Sequence, residues 1–300
     1  MVLPVTVRML KLRDIKVLHL ESTDVCQAAC PLCARELDPL FDKHKKNHLT
    51  VNQLLTHYDD AAIAKLDKIF ICGNYGDPAA GKYTLDIYRY ARSINPTITL
   101  GMNTNGALQS TFWWHELGKL FNQPQDFVVF SIDGLEDTNS TYRVNVNWKK
   151  LMSNVEAYIA AGGSAHWDML VYRHNQHQVE ECEKVARDMR FTWFRAKVSK
   201  REYISGLQQP LGYKEPIRNT GPIQCHVLKE KSAYIDAKGK QYPCCWLGGH
   251  KGQANYISDI SEVEHTWNTD TPNPICKKIC STGTNKESNF NSQWRKEVQL

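Results

Sequence analysis

Six short apolar runs, each followed by a stretch of helical periodicity, constrain this chain more than any other feature. The runs are KVLHLES (16–22), KIFICG (68–73), TITLGMNTNG (97–106), DFVVFSIDG (126–134), AHWDMLVY (165–172) and FTWFRAKV (191–198). They are rich in β-branched and aromatic residues, and most end at Gly, Asn or Asp, so each reads as a strand. Between them, NQHQVEECEKVARDM sets Val179, Cys182, Val185, Ala186 and Met189 on one helical face. TFWWHELGKLF is helix-compatible through Phe112, Leu117 and Phe121, with Trp113 and Leu120 alongside. NWKKLMSNVEAYIAAGG is so through Leu151, Val155 and Ile159, and Gly162 and Gly163 end it. Strands alternating with helices build a parallel sheet with right-handed crossovers. Six strands make an open sheet or an incomplete barrel, and in both forms ligands gather at the C-terminal strand ends. CQAACPLC, GNYGDP, NTNG and SIDG follow the first four strands in turn. The unusual chemistry therefore collects on one rim.

The alternation breaks near residue 203. EYISGLQQPLGYKEPIRNTGP is rich in Gly and Pro and reads as a linker. Short strands around a hairpin at AKGK follow, in SAYIDAKGKQYPCCWL. The tail NFNSQWRKEVQL reads as a terminal helix. The expected division is a main domain over 1–205, a linker over 206–222 and a small domain over 223–300. Net charge is only +5, from 37 basic and 32 acidic side chains. The KHKKNH run (43–48) reads as a solvated face, so nucleic acid is not an expected partner. No run of about 18 apolar residues exists to span a membrane. The N-terminus has no signal-peptide pattern, so a cytoplasmic location is expected.

Ten cysteines in a reducing compartment point to metal binding or catalysis rather than disulfides. Cys26, Cys30 and Cys33 cluster early, and Cys225, Cys244, Cys245, Cys276 and Cys280 cluster late. Cys72 and Cys182 stand alone, on a strand and on an apolar helix face, and read as core. Two metal sites are the simplest partition. A closed structural zinc site takes four ligands, whereas C-x3-C-x2-C supplies three. One position is thus left open, or filled by a remote residue such as His44 or His48.

A C-x3-C-x2-C loop after the first strand of a βα-repeat domain resembles the radical S-adenosylmethionine (radical SAM) enzymes. The resemblance implies that Cys26, Cys30 and Cys33 hold three irons of a [4Fe–4S] cluster, with SAM on the fourth. Thiolates suit such clusters. Leu32 departs from the pattern, which usually has an aromatic residue before the third cysteine. GNYGDP resembles the segment that receives the SAM ammonium group. It carries Gly73, Gly76, Asp77 and Pro78, with Asp in place of the usual Glu. SIDG followed by Arg143 resembles a pattern in which the Ser and Arg hold the SAM carboxylate and ribose, which names Ser131, Asp133 and Arg143. NTNG matches the family's Thr-Asn-Gly turn and reads as structural.

The late cysteines resemble SPASM and twitch modules, through Cys225, Gly239 and Cys244 at the opening spacing. With Cys276 and Cys280 they suit the shorter twitch form, carrying a second, auxiliary [4Fe–4S] cluster. Cys245 could replace Cys244 as ligand, and zinc on the same four cysteines is the alternative occupant. The implied fold is α/β: a partial (β/α)6 barrel of parallel strands with a small C-terminal twitch-like domain. The implied activity is reductive cleavage of SAM to a 5′-deoxyadenosyl radical that takes a hydrogen atom from substrate. Net oxidation or peptide modification would follow, with the auxiliary cluster as electron relay. The implied partners are an external flavodoxin- or ferredoxin-like donor and a small-molecule or short peptide substrate. A non-catalytic zinc or Fe–S scaffold is the alternative from another class.

Overall fold

The computed structural model describes residues 14–199, 206–213, 221–248, 261–267, 269–282 and 296–300. All six expected strands form: β1 (Val17–Leu20), β2 (Lys68–Ile71), β3 (Thr99–Thr104), β4 (Phe127–Ser131), β5 (Ala165–Val171) and β6 (Trp193–Val198). They lie side by side in sequence order, and each neighbouring pair is parallel. β7 (Ser232–Ile235) adds in parallel to β1, and β8 (Gln241–Tyr242) turns back antiparallel on β7. β9 (Lys296–Gln299) closes the other edge, antiparallel to β6.

Two-residue periodicity divides the sheet into unlike faces. Leu18, Leu20, Ile69, Ile71, Leu100, Met102, Val128, Phe130, Trp167, Met169, Phe194 and Ala196 are buried under the helices. Those helices bury the matching stripes, with Ile87, Tyr88 and Ala91 in Thr84–Ile94 and Leu151, Val155 and Tyr158 in Trp148–Ala160. Ser110 and Asn147 cap two of them by accepting from Trp113 N and Lys150 N. The opposite face lines a cavity of about 690 Å³ together with the C-terminal segment.

One level of that inner face is a row of rings. His19 lies opposite both Tyr234 and Phe70, Phe70 opposite Gly101, and Gly101 opposite Phe127. His166 stacks on Phe127 at 5.2 Å and 10°, and lies opposite Trp193. Gly101 is the gap through which Phe70 and Phe127 meet at 6.1 Å, because a Cβ there would come within 2.8 Å of Phe127 Cζ.

Three expectations change. The tail is not a helix where it is described, since 296–299 is strand β9; residues 289–295 of that reading lie outside the described residues. Phe112 is 72% exposed, and the core position on its helix belongs to Trp114, fully buried. Cys72 is only half-buried, whereas Cys182 is core as expected. The AKGK hairpin is present, with Gly239 at φ +79°. The boundary drawn at residue 205 does not interrupt the sheet, because β7 and β9 both join it; residues 214–220 of the linker lie outside the described residues. The C-terminal segment also has a small apolar cluster of its own, built on Leu247, Val263, Ile275 and Cys276.

Candidate functional site

The segment after β1 carries Cys26, Cys30 and Cys33 and is held at both ends. Asp24 accepts from Asn47 N at 2.8 Å, and the Asn47 side chain also donates to it. Arg35 donates to the Asp24 carbonyl and lies over the Phe41 ring at 5.1 Å. Phe41 stacks on Tyr75 of the next loop at 4.5 Å and 12°. Leu32 is fully buried and Cys30 buried, whereas Cys26 and Cys33 are half-buried.

The loops after β2, β3 and β4 close around these sulfurs. Gly73 and Gly76 sit where no Cβ fits: one on Gly76 would lie 2.0 Å from the Thr23 carbonyl oxygen, beside the cysteine segment. Asp77 is buried and accepts from Thr104 Oγ1 at 2.8 Å, Asn105 N at 2.7 Å and Ala79 N at 2.9 Å. Pro78 opens the short helical turn Pro78–Ala80 that Asp77 caps. Asn105 begins a tight turn with Gly106 at φ +73°, and its amide nitrogen reaches Cys26 Sγ at 3.7 Å. Ala28 N donates to the same sulfur at 3.4 Å. Ser131 ends β4, half-buried. Asp133 is fully buried and pairs with Arg143 at 2.6 Å. The Arg143 guanidinium also approaches Cys30 Sγ at 3.9 Å. A glycine at 134 is needed for φ +126°.

Burial pushes the Cys26 thiol up, and neighbouring Asp77 adds to the effect. Burial also pushes Cys30 up, opposed by Arg143. Coordination to a metal deprotonates such thiols outright. Donors aimed at two of the sulfurs, Asn105 and Ala28 at Cys26 and Arg143 at Cys30, suit thiolate ligands of a cluster, so the residues present fit that group. Among the described residues, no three His, Cys, Asp or Glu side chains converge on a single metal ion. His48 is engaged elsewhere, its Nδ1 accepting from Lys82 N at 3.4 Å.

The late cysteines gather elsewhere, and Cys225, Cys244, Cys245, Cys276 and Cys280 all line the cavity. Cys276 and Cys280 lie one turn apart on the helix Pro274–Cys280. Gln224 N donates to the Cys280 carbonyl at 2.8 Å, which ties Cys225 to that helix. Cys225, Cys276 and Cys280 lie within electrostatic range of one another, and Cys244 lies near Cys276. Cys244 belongs to the C-terminal apolar cluster. Cys245 faces differently, next to Cys72 and Glu21. Burial pushes both Cys244 and Cys245 up to about 12.

Sequence reasoning missed several residues that build the site. Glu21, Asp24 and Arg35 shape the loops. Asp168, Arg195 and Lys197 place a charged group on the inner wall, where Asp168 accepts from Arg195 at 2.6 and 3.0 Å and from Lys197 at 2.7 Å. Alternation in AHWDMLVY and FTWFRAKV carried the signal for this last group, since it sets polar residues on one face of two strands.

Comparison with known proteins gives a consistent picture. Streptococcus suis SuiB bound to S-adenosylmethionine is similar in fold, with a TM-score of 0.57 at 12% identity, over 86% of this chain and 66% of SuiB. SuiB bound to the precursor peptide SuiA gives a TM-score of 0.58 at 13% identity, over 92% of this chain and 69% of SuiB. The enzyme anSMEcpe with bound AdoMet gives 0.52 at 15% identity, over 94% of this chain and 80% of the other. This chain thus spans 66 to 69% of the length of SuiB. Among curated proteins there is no significant match. The sequence model of the radical SAM superfamily matches residues 20–189, more than half of the chain and all the rim described above, and the protein belongs to that superfamily.

Proposed function

We propose that this protein is a radical SAM enzyme with two iron–sulfur sites, one on the rim and one in the C-terminal segment. Cys26, Cys30 and Cys33 would hold a SAM-binding [4Fe–4S] cluster; Cys225, Cys244, Cys276 and Cys280 would hold an auxiliary one. When bound, the first cluster and SAM supply reductive cleavage to a 5′-deoxyadenosyl radical able to take hydrogen from a substrate carbon. The observation that carries the reading is the stitching of four strand-end loops around Cys26 and Cys30, through Asn105, Asp77 and Arg143.

The chain's own residues have distinct tasks in this reading. Arg143 offers a guanidinium for the SAM carboxylate, a pairing that its fork suits. Asp133 holds that guanidinium in place from beneath. Asp77 is committed to Thr104, Asn105 and Ala79, so we assign it to holding the loop, and leave the ammonium group to the carbonyls around Gly73 and Gly76. We assign Ser131, at the end of β4, to the ribose or carboxylate. Cys244 rather than Cys245 faces the other late cysteines, which supports it as the ligand. Four thiolates leave no iron position for substrate, so we assign the auxiliary cluster to electron relay and the reaction to net oxidation or peptide modification. A twitch-like domain over 223–300 agrees with the separate apolar cluster there.

The cavity of about 690 Å³, lined by the inner face of the sheet and the late cysteines, is the proposed substrate chamber. Its size suits a small molecule or one residue of a peptide. SuiB bound to its precursor peptide and anSMEcpe bound to the Cp18Cys peptide favour the peptide. A flavodoxin- or ferredoxin-like donor would supply the electron.

Anaerobic reconstitution with iron and sulfide tests the whole reading. About eight irons per chain and formation of 5′-deoxyadenosine from SAM under reduction are expected. About two zincs and no SAM cleavage would establish the scaffold alternative instead.

A further inference from the structure

Glu21 follows β1, is 2% exposed, and belongs to none of the motifs. Its Oε1 accepts from Tyr75 N at 2.7 Å and Gly76 N at 3.1 Å, two successive amides of the loop after β2. Its Oε2 accepts from the Tyr234 hydroxyl at 2.5 Å. Tyr234 lies 213 residues further on, in β7, within the segment that carries the late cysteines. The grip has a second arm. Asn74 Nδ2, in the same loop, donates to the Tyr234 hydroxyl at 3.3 Å and to the Cys245 carbonyl at 2.9 Å.

The loop after β2 is therefore held from both sides. A carboxylate just after β1 takes its amides, and a hydroxyl and a carbonyl from the C-terminal segment take its side chain. Gly76 is already pressed against the Thr23 carbonyl, so the loop has little room to settle differently. A buried carboxylate is costly unless hydrogen-bonded, and among the described residues the donors to Glu21 belong to this loop or to β7. At 2% exposure it does not reach a ligand itself.

We propose that Glu21 and Tyr234 are a positioning pair through which β7 completes the support of the SAM-binding loop. The first cofactor site then extends beyond its own βα units and borrows a hydroxyl from the C-terminal segment. This rests on the assignment of SAM to the rim.

The test uses the full chain, reconstituted anaerobically. SAM affinity is read from the change in the reduced cluster's magnetic resonance spectrum on titration, beside iron content and the KM and kcat of SAM cleavage. Tyr234→Phe keeps the ring packed 5.1 Å from His19 and removes one hydroxyl. The expected result is about tenfold weaker SAM binding, with KM raised to match, and with kcat and iron content close to wild type. Glu21→Gln keeps an acceptor for both amides and should retain more affinity than Glu21→Ala. Wild-type SAM affinity in Tyr234→Phe would overturn the pairing. So would loss of late-cluster iron with SAM affinity unchanged, because Tyr234 would then serve its own segment alone. If Tyr234→Phe takes up no iron, the glutamate variants decide, and equal affinity in Glu21→Gln and Glu21→Ala overturns the proposal. Failure of wild type itself to bind SAM would remove the rim assignment, a result distinct from equal binding by all forms.

Discussion

Arg143 shows how far one side chain can reach across a site. It meets Asp133 at 2.6 Å and Cys30 Sγ at 3.9 Å, so it ties the β4 loop to the cysteine segment. Arg143→Ala should weaken SAM binding by about 1.5–3 kcal/mol, the worth of a charge-assisted hydrogen bond, as measured by titration of the reconstituted protein. An unchanged dissociation constant would mean that the guanidinium serves Asp133 alone. Glu21 makes a different prediction. Burial raises its carboxyl to about 7, against the hydrogen bonds from Tyr234, Tyr75 and Gly76. The folded protein then binds this proton more tightly than the unfolded chain does. The stability linked to it is fully present below the ordinary carboxylate range and is lost as pH rises through about 7. Glu21→Gln should flatten that dependence, so melting curves from pH 5 to 8 should diverge most at the alkaline end. Parallel curves for the two proteins would show that the proton is not bound there. Arg143 was legible in the sequence because its motif is local. Glu21 was not, because its partner Tyr234 is 213 residues away.

At the scale of elements, the inner face of the sheet depends on one missing side chain. Gly101 in β3 lets the Phe70 and Phe127 rings meet across it. Gly101→Val would force both rings aside in a packed level and should cost about 1–3 kcal/mol, seen as a lower melting temperature. A melting temperature equal to wild type would show that the row adapts without strain. The helix Pro274–Cys280 sets up the second test, because one turn brings Cys276 and Cys280 to the same side. Cys244→Ala should lose about four irons and net product while still cleaving SAM, and Cys245→Ala should keep its iron. The reverse pattern would move the ligand one residue along. The spacing left these two cysteines open, because adjacent residues share every sequence signal. Only the fold turns Cys244 toward the C-terminal cluster and Cys245 toward Cys72.

At the scale of the molecule, the cysteines form two groups, one on the rim and one lining the cavity from the C-terminal segment. Replacing Cys26, Cys30 and Cys33 together with Ala should abolish SAM cleavage, yet keep about four irons and the absorbance of the late cluster. Undiminished 5′-deoxyadenosine formation would relocate the chemistry. The sequence by itself determined the six parallel strands, the rim on which the loops gather and the partition of the cysteines. Each of these rests on short-range regularity: two-residue alternation in strands, turn residues after them, and ligands spaced within one loop. Only the tertiary structure decided that β7 and β9 extend the sheet on its two edges and that rings fill one level of its inner face. Tertiary structure also decided that Tyr234 supports a loop built by the other end of the chain. Strand β9 is the clearest case, for NFNSQWRKEVQL has no alternation strong enough to declare a strand, and its backbone pairs because β6 presents an open edge. Pairing at an edge is chosen by the partner's unpaired amides and carbonyls, which no local pattern records.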